Sequence, residues 1–367
     1  MTENKNYSSN NLIALIKQEK IFIGLVGILF IIAGLATPYA NIAMWVGFFL
    51  AGYSAIANDS IQTIGTFIAS NSERPWWMLW LYMGGIFLVT VSISWYLFDG
   101  DVSYQRLASK GFDEAASQFN FLQIAAPLFL LILTRLRMPV STTFLLLSSF
   151  ATSASSITGV LGKSLSGYFL AFALGFIVWL LVTRIFEKKF SESKASNVWI
   201  PIQWITSGTL WAVWLMQDAA NIAVYLPRSL SLSQFLVFAG FIFIGLGLLF
   251  YLRGDRIQKI VTDKSRVTDI RSATIIDFIY SILLIYKLTI STVPMSTTWV
   301  FLGLLAGREI GMSIMGKGYS LGHPLSKVFK MVFKDLGSAL FGLLISIILA
   351  ISINDDVRVE LLSIIGL

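Results

Sequence analysis

The sequence predicts an all-α polytopic membrane protein with about 11 transmembrane spans, two inverted-topology repeats, and broken or re-entrant helices at its motifs. Three observations support this fold class. The 367-residue chain is 56% hydrophobic and only 13% charged, whereas soluble domains carry about 25% charged residues. Its apolar residues fall in long uncharged runs, and short polar motifs occur twice in the same order. A soluble enzyme, a nucleic-acid-binding protein and a disordered protein are therefore excluded.

Eleven apolar segments are each long enough to cross the hydrocarbon core as a helix. They are residues 21–37, 41–57, 76–98, 118–134, 140–160, 166–183, 199–217, 232–252, 272–290, 294–314 and 335–353. Two further apolar stretches, 60–70 and 219–227, are too short to span alone. Because each of them follows a polar motif, we expect a broken or re-entrant helix there, with free backbone carbonyls that can act as ligands.

The distribution of lysine and arginine predicts the orientation. With the N-terminus in the cytoplasm, most of the 27 basic residues fall in cytoplasmic loops, and only a few, such as Arg106 and Lys163, fall outside. This asymmetry follows the positive-inside rule, so the net charge of +7 describes topology rather than an acidic partner. We expect a multi-pass protein of the cell inner (plasma) membrane, with the lipid bilayer and no nucleic acid as partner.

Three doubled motifs predict the two repeats. The pairs are Asn58-Asp59-Ser-Ile-Gln62 with Gln217-Asp218-Ala-Ala-Asn221, Gly100-Asp101 with Gly254-Asp255, and Pro139-Val-Ser-Thr-Thr143 with Pro294-Met-Ser-Thr-Thr298. All three recur at nearly the same offset along the chain. Each repeat holds an odd number of spans, so the second must be inverted in the membrane. Inverted repeats are typical of secondary transporters, whose substrate site lies between the repeats.

The predicted organisation has five parts. They are an N-terminal segment with an extra span (1–39), a first inverted repeat (40–186), a cytoplasmic linker (187–198), a second inverted repeat (199–353) and a C-terminal tail (354–367). The linker prediction rests on a charged, serine-rich composition between two apolar segments.

Asp59 and Asp218 are the candidate residues for binding a coupling cation. Each lies in an apolar context beside amide side chains. The amides are Asn58, Gln62, Gln217 and Asn221. An acid at membrane depth costs about 2.5–3.5 kcal/mol and is retained mainly for function. Carboxylate and amide oxygens suit Na⁺, or a proton on the acid itself. The alternative is that both acids lie solvated at interfacial helix ends.

The two Pro-x-Ser-Thr-Thr motifs predict helix N-termini, since proline suits the first turn and hydroxyls cap free N–H groups. Helix N-termini bind anions, so two of them from opposite repeats predict a site for a tetrahedral oxyanion. The candidate residues are Ser141, Thr142, Thr143, Ser296, Thr297 and Thr298. The alternative is ordinary capping with small residues at helix contacts. Arg308 and Glu309, in span 294–314, are predicted to pair with each other.

These motifs resemble those of a known family. Ala57-Asn58-Asp59, with Gln62, Gly65 and Thr66, resembles the Gly-Ala-Asn-Asp-x-x-Asn-x-x-Gly-Thr motif of the inorganic phosphate transporter (PiT) family. The other two motifs resemble its Pro-Val-Ser-Thr-Thr-His motif, except that Phe144 and Trp299 replace the histidine. Gln62 and Gln217 also replace asparagines. The resemblance covers residues 40–320 and implies that the Asp and Asn positions bind coupling cations and the Ser and Thr positions contact the anion.

The resemblance implies a symporter that imports inorganic phosphate together with Na⁺ or H⁺. Sulfate or another oxyanion is the alternative substrate, and a passive anion channel is the alternative mechanism. With sodium coupling, Asp59 and Asp218 would be the metal ligands. No enzymatic activity is expected, because the chain has no cysteine and a single histidine, His323, outside the spans. No cofactor beyond the coupling ion is predicted, and a homodimer is left open.

Overall fold

Long apolar helices make up most of the chain in a computed structural model. The structure describes residues 9–109, 111–136, 138–189, 195–252, 270–315 and 324–365. Gly254-Asp255, His323 and the middle of the linker 187–198 lie outside these residues.

The described helices follow the predicted segments closely. In chain order they are α1 (Ser9–Ala36), α2 (Ala40–Thr63), α3 (Gly65–Ser70), α4 (Trp76–Leu97), α5 (Phe121–Arg135), α6 (Thr142–Leu145), α7 (Ala154–Lys189), α8 (Trp199–Asp218), α9 (Ala220–Ala223), α10 (Leu232–Tyr251), α11 (Ile270–Ile290), α12 (Thr297–Met315), α13 (Leu325–Ile353) and α14 (Asp355–Ile365). Two short 3₁₀ helices, Arg106–Ala108 and Leu147–Phe150, lie in the connections.

Seven of the described helices are long and apolar enough to cross a membrane, namely α1, α2, α4, α7, α10, α11 and α13. The helices α8 and α12 have similar lengths, 20 and 19 residues, but are not among these seven. The helix α5 is shorter, with 15 residues. The predicted all-α polytopic membrane fold is confirmed.

The segment 140–160 differs from the prediction because it is not one spanning helix. The helix α6 is a single turn of four residues, a 3₁₀ turn follows, and α7 begins only at Ala154. Residues 140–151 are buried inside the protein, and Ser149 donates its hydroxyl to the Leu145 and Leu146 carbonyls. Apolar side chains here therefore contact protein rather than lipid, a distinction that hydropathy cannot make.

Both breaks expected after the polar motifs are present. Ile64 separates α2 from α3, and Ala219 separates α8 from the one-turn helix α9. Asp59 therefore lies in the last turns of α2, and Asp218 is the last residue of α8. At both interruptions the backbone keeps α-region dihedrals, φ −102° and ψ −15° at Ile64 and φ −56° and ψ −30° at Ala219, so each acid lies near a one-residue interruption of a helix in the interior of the fold.

Helices from the two halves pack in matching pairs. The helix α5 packs against α2 as α11 packs against α8, and α4 packs against α10. The most extensive contact joins α12 to α7, where Gly303, Gly307 and Gly311 let the two backbones approach closely. On α12, Arg308 and Glu309 form the predicted ion pair at 2.6 Å.

Candidate ion and anion site

Asp59 is buried and held by the first Pro-x-Ser-Thr-Thr motif. The Thr142 hydroxyl lies 2.6 and 2.7 Å from its two carboxylate oxygens. Asn58 donates to Asp59 and to the Val140 carbonyl, both at 2.9 Å, while its own oxygen accepts from Thr134 at 3.0 Å. Because the Asn58 oxygen already accepts a hydrogen bond from Thr134, Asn58 orients Asp59 in the described arrangement.

Asp218 has the corresponding environment in the second half. Thr297, which matches Thr142, donates to one carboxylate oxygen. Asn221 donates to the other oxygen at 2.9 Å, and Thr143 also donates to it at 3.3 Å. Asp59 and Asp218 are each only 2% exposed, so the alternative of solvated acids at helix ends is wrong.

The amides three residues after each acid reach across to the opposite motif. Gln62 donates to the Thr298 hydroxyl at 3.0 Å, and Asn221 donates to the Thr143 hydroxyl at 3.2 Å. These two bonds join the halves of the chain crosswise. The four residues occupy matching motif positions, so the network has an approximate twofold relation.

The backbone carbonyls of the motifs repeat this crosswise pattern. Thr143 lies 3.3 Å from the Met295 carbonyl, and Thr298 lies 3.5 Å from the Val140 carbonyl. Each threonine therefore contacts the residue that follows proline in the other motif. The two motifs form one joint site rather than two separate ones.

Several buried amide atoms in this site have no hydrogen-bond partner. They are Gln62 Oε1, Asn221 Oδ1, and both polar side-chain atoms of Gln217. Buried polar groups are almost always hydrogen-bonded, because an unpaired group loses its contacts with water. The unpaired oxygens are therefore available as ligands for a cation beside Asp59 and Asp218.

A small cavity lies between the two acids. Its volume is about 20 Å³, and its lining includes Asp59, Asp218, Trp214 and Phe238. A water molecule needs about 10–15 Å³ on this measure, so the space has room for one water molecule, and apart from the two acids its lining is apolar. Trp214 also donates to the Thr297 hydroxyl at 3.1 Å and so fixes one wall of the cavity.

The two motif serines act as helix caps. Ser141 Oγ accepts from the Phe144 amide at 3.1 Å, and Ser296 Oγ accepts from the Trp299 amide at 3.3 Å. The predicted capping is thus present, although the first motif begins only the one-turn helix α6. The threonines that follow each serine supply the contacts to the acids.

Phe144 and Trp299, which stand where the similar PiT motif has histidine, meet edge to face with ring centroids 5.5 Å apart. The Trp299 indole N–H is buried and has no partner. Neither ring is titratable, and the Trp299 indole leaves one unpaired donor beside the motifs.

Asp277 is a third buried acid among the described residues, and the doubled motifs do not predict it. It is 0% exposed on α11 and accepts hydrogen bonds from Thr66 at 2.8 Å and Ser207 at 2.5 Å. Thr66 lies four residues beyond Gln62, so this acid is linked to the site through α3. The available signal was a lone acid in the apolar segment 272–290.

No protein-family model matches the sequence, and no curated protein matches it. A solved structure of a sodium-dependent phosphate transporter is similar to this chain, with a TM-score of 0.55 and 17% sequence identity. The alignment covers 92% of this chain and 100% of that transporter. At this identity the similarity shows a shared fold, and it confirms the fold implied by the motif resemblance.

Proposed function

We propose that this protein is a secondary active transporter that imports inorganic phosphate by symport, with Na⁺ as the first candidate ion and H⁺ as the second. The observation that carries the proposal is the crosswise network of Asp59, Asp218 and the four motif threonines. It lies at the interior helix breaks of a fold shared with a sodium-dependent phosphate transporter.

The residues at the site support phosphate over sulfate. Six motif hydroxyls line the joint site, from Ser141, Thr142, Thr143, Ser296, Thr297 and Thr298. Thr142 and Thr297 donate their single protons to the acids, whereas the Ser141 and Ser296 oxygens accept from backbone amides and their own protons can be donated to anion oxygens. Hydrogen phosphate also carries a proton of its own, which needs an acceptor. Asp59 and Asp218 supply such acceptors, whereas sulfate would meet the two carboxylates with no proton to share.

The unpaired amide oxygens support Na⁺ over H⁺. Na⁺ needs several oxygen ligands, and Gln62 Oε1 and Asn221 Oδ1 provide one beside each acid. A proton on Asp59 or Asp218 would need no further oxygen. Gln217 would contribute a ligand to the second cation site, beside Asp218. At the matching position of the first motif, Asn58 instead orients Asp59.

Two cation sites match the electrical work of importing a dianion. One charge crossing 100 mV is worth about 2.3 kcal/mol, so a dianion entering a negative cell faces about 4.6 kcal/mol. Two monovalent cations cancel this cost. Binding of one cation at Asp59 and one at Asp218 is therefore the minimum for electroneutral uptake.

We further propose that residues 40–186 and 199–353 are inverted repeats joined by a cytoplasmic linker at 187–198, with residues 1–39 and 354–367 outside them. The crosswise hydrogen bonds between matching residues support this relation. Following the distribution of basic residues, we place the protein in the inner (plasma) membrane with a cytoplasmic N-terminus. The homodimer stays an expectation.

Uptake into proteoliposomes tests the function. Labelled phosphate and labelled sulfate are offered separately, with a Na⁺ gradient or a pH gradient imposed alone. We expect phosphate to accumulate above equilibrium under the Na⁺ gradient. Accumulation of sulfate alone would assign the alternative substrate. Equilibration without accumulation under both gradients would indicate a passive channel and contradict the symport mechanism.

A further inference from the structure

Three basic side chains meet at the end of α11, apart from the acids described above. Arg106 donates to the Ser291 carbonyl at 2.5 Å and to the Leu288 carbonyl at 3.1 Å. Lys163 donates to the Ser291 carbonyl as well, at 2.9 Å. Lys287, on α11 itself, donates to the Ser166 hydroxyl at 2.7 Å. We call Arg106, Lys163 and Lys287 the basic triad.

The members of the basic triad lie close to one another. Because Arg106 and Lys163 share the Ser291 carbonyl, their nitrogens are separated by at most the sum of two hydrogen bonds. Lys287 donates to the Ser166 hydroxyl at 2.7 Å, and this hydroxyl donates to the Lys163 carbonyl at 2.8 Å, within one turn of α7. Like charges this close repel, so an anion among them would be favourable.

Within the described ranges, no carboxylate forms an ion pair with the basic triad. Arg106 is 3% exposed and Lys287 is 8% exposed, so water does not compensate the charges fully. Their hydrogen-bond acceptors are neutral carbonyls and one hydroxyl. Buried charges are normally paired, and this cluster lacks its counter-charge.

The basic triad also has hydrogen-bond donors that no protein atom in the described ranges accepts. Arg106 Nε is buried and has no partner. Lys287 uses one of its three N–H donors, on Ser166. A phosphoryl group is rich in acceptor oxygens, and guanidinium and ammonium groups are its usual protein partners.

Capping of α11 explains only part of this arrangement. Cations near a helix C-terminus hydrogen-bond the last carbonyls, and Arg106 does so at Leu288. Lys287 does not, because its ammonium reaches Ser166 on α7. Capping also provides no hydrogen-bond acceptor for Arg106 Nε.

The basic triad adjoins the second Pro-x-Ser-Thr-Thr motif. Lys163 donates to the Val293 carbonyl at 2.5 Å, one residue before the motif. Its neighbour Ser164 accepts from the Ser296 amide at 2.9 Å, inside the motif. One turn of α7 therefore links the basic triad to the second Pro-x-Ser-Thr-Thr motif.

We propose that the basic triad is a second oxyanion site, on the predicted outer side, that binds a phosphoryl group. The group comes either from inorganic phosphate on its way to the motif threonines or from the headgroup of an anionic phospholipid. The first source rests on the proposed function, whereas the second does not.

Chemical labelling of the wild-type protein tests the site. Purified full-length protein is treated with an amine-acylating reagent, and labelling at each lysine is followed by mass spectrometry. Inorganic phosphate is added in one arm and phosphatidylglycerol in another, against chloride at matched ionic strength. At about ten times its dissociation constant, a bound ligand slows labelling of Lys163, the half-buried lysine of the basic triad, about tenfold. The exposed Lys327 and Lys330 are internal controls that stay unchanged.

The variant Arg106→Gln keeps the labelled Lys163 and should remove most of the protection, while Arg106→Lys should restore part of it. Protection by phosphate assigns inorganic phosphate as the ligand, and protection by phosphatidylglycerol alone assigns a lipid site. No protection by either compound overturns the proposal. The measurement is made at equilibrium, so it stays readable even if proteoliposomes take up no phosphate, which would contradict only the proposed function.

Discussion

Gln62 and Asn221 are matched across the two halves of the chain. Each donates its side-chain amide to the final threonine of the opposite Pro-x-Ser-Thr-Thr motif, Gln62 to Thr298 at 3.0 Å and Asn221 to Thr143 at 3.2 Å. Each also leaves its amide oxygen buried and unpaired. The same arrangement occurs twice although the two side chains differ in length by one methylene.

This relation predicts that amide length sets the cation affinity. In Gln62→Asn the oxygen is withdrawn by one methylene, and in Asn221→Gln it is advanced. Loss of one such contact is worth about 1 kcal/mol, so the Na⁺ concentration for half-maximal uptake should change about fivefold. The measurement is phosphate uptake as a function of Na⁺. Gln105→Asn, at an exposed position, is the matched control. An unchanged Na⁺ dependence in both variants would exclude these oxygens as ligands.

The two acids should both be required for coupled uptake. In Asp59→Asn and Asp218→Asn the shape is kept and the charge that holds the cation is lost. We expect each variant to reduce Na⁺-driven phosphate uptake at least about tenfold, equivalent to about 1.4 kcal/mol. Asp356→Asn, in the exposed part of α14, is the control and should transport normally. Normal uptake by both acid variants would refute the cation sites.

The Thr142 hydroxyl should matter more than its methyl group. Thr142→Val removes the donor to Asp59, and hydrogen bonds to charged groups are worth about 1.5–3 kcal/mol. We expect phosphate uptake at limiting concentration to fall at least about tenfold in Thr142→Val. Thr142→Ser should retain most of it.

Thr209→Val is the control for this comparison, because Thr209 is exposed on α8 and bonds only its own helix, at the Ile205 carbonyl. Equal uptake by wild type and Thr142→Val would show that this hydroxyl has no part in binding.

The glycines of α12 should be needed for packing. A Cβ atom at Gly307 would meet the Phe172 carbonyl of α7. Overpacking of this kind costs about 1–3 kcal/mol, so Gly307→Ala should lower the thermal unfolding midpoint in detergent. A Cβ at Gly337 on α13 meets nothing within 4 Å. Gly337→Ala should therefore be neutral or should stabilise by up to about 1 kcal/mol through helix propensity. Equal midpoints for the two variants would contradict the close approach of α7 and α12.

The candidate site was identifiable from sequence where a motif is repeated. Asp59 and Asp218 stand out because each interrupts an apolar region beside amides, and the repetition makes chance unlikely to explain both. Asp277 carries the same physical signal, a buried acid in an apolar span, but belongs to no doubled motif. The repetition of the motif therefore identified Asp59 and Asp218, whereas the cost of burying an acid did not by itself identify Asp277.

The segment 140–160 shows where hydropathy stops being informative. Its residues are apolar because protein surrounds them, and an apolar composition does not report whether the neighbour is lipid or another helix. The other ten segments each coincide with one described helix, since an uncharged run of that length has few alternatives in a membrane.

The sequence by itself determined the class of the protein: long uncharged runs require membrane-spanning helices, and doubled polar motifs single out the acids, amides and hydroxyls. Only the tertiary structure decided which of these residues meet. Thr143 follows Thr142 directly, yet Thr142 contacts Asp59 while Thr143 contacts Asp218, 75 residues away. Neighbouring side chains on a helix point in different directions, so their partners depend on which helices cross there. Packing between the two halves sets where the helices cross, and the residues of one short motif do not determine that packing.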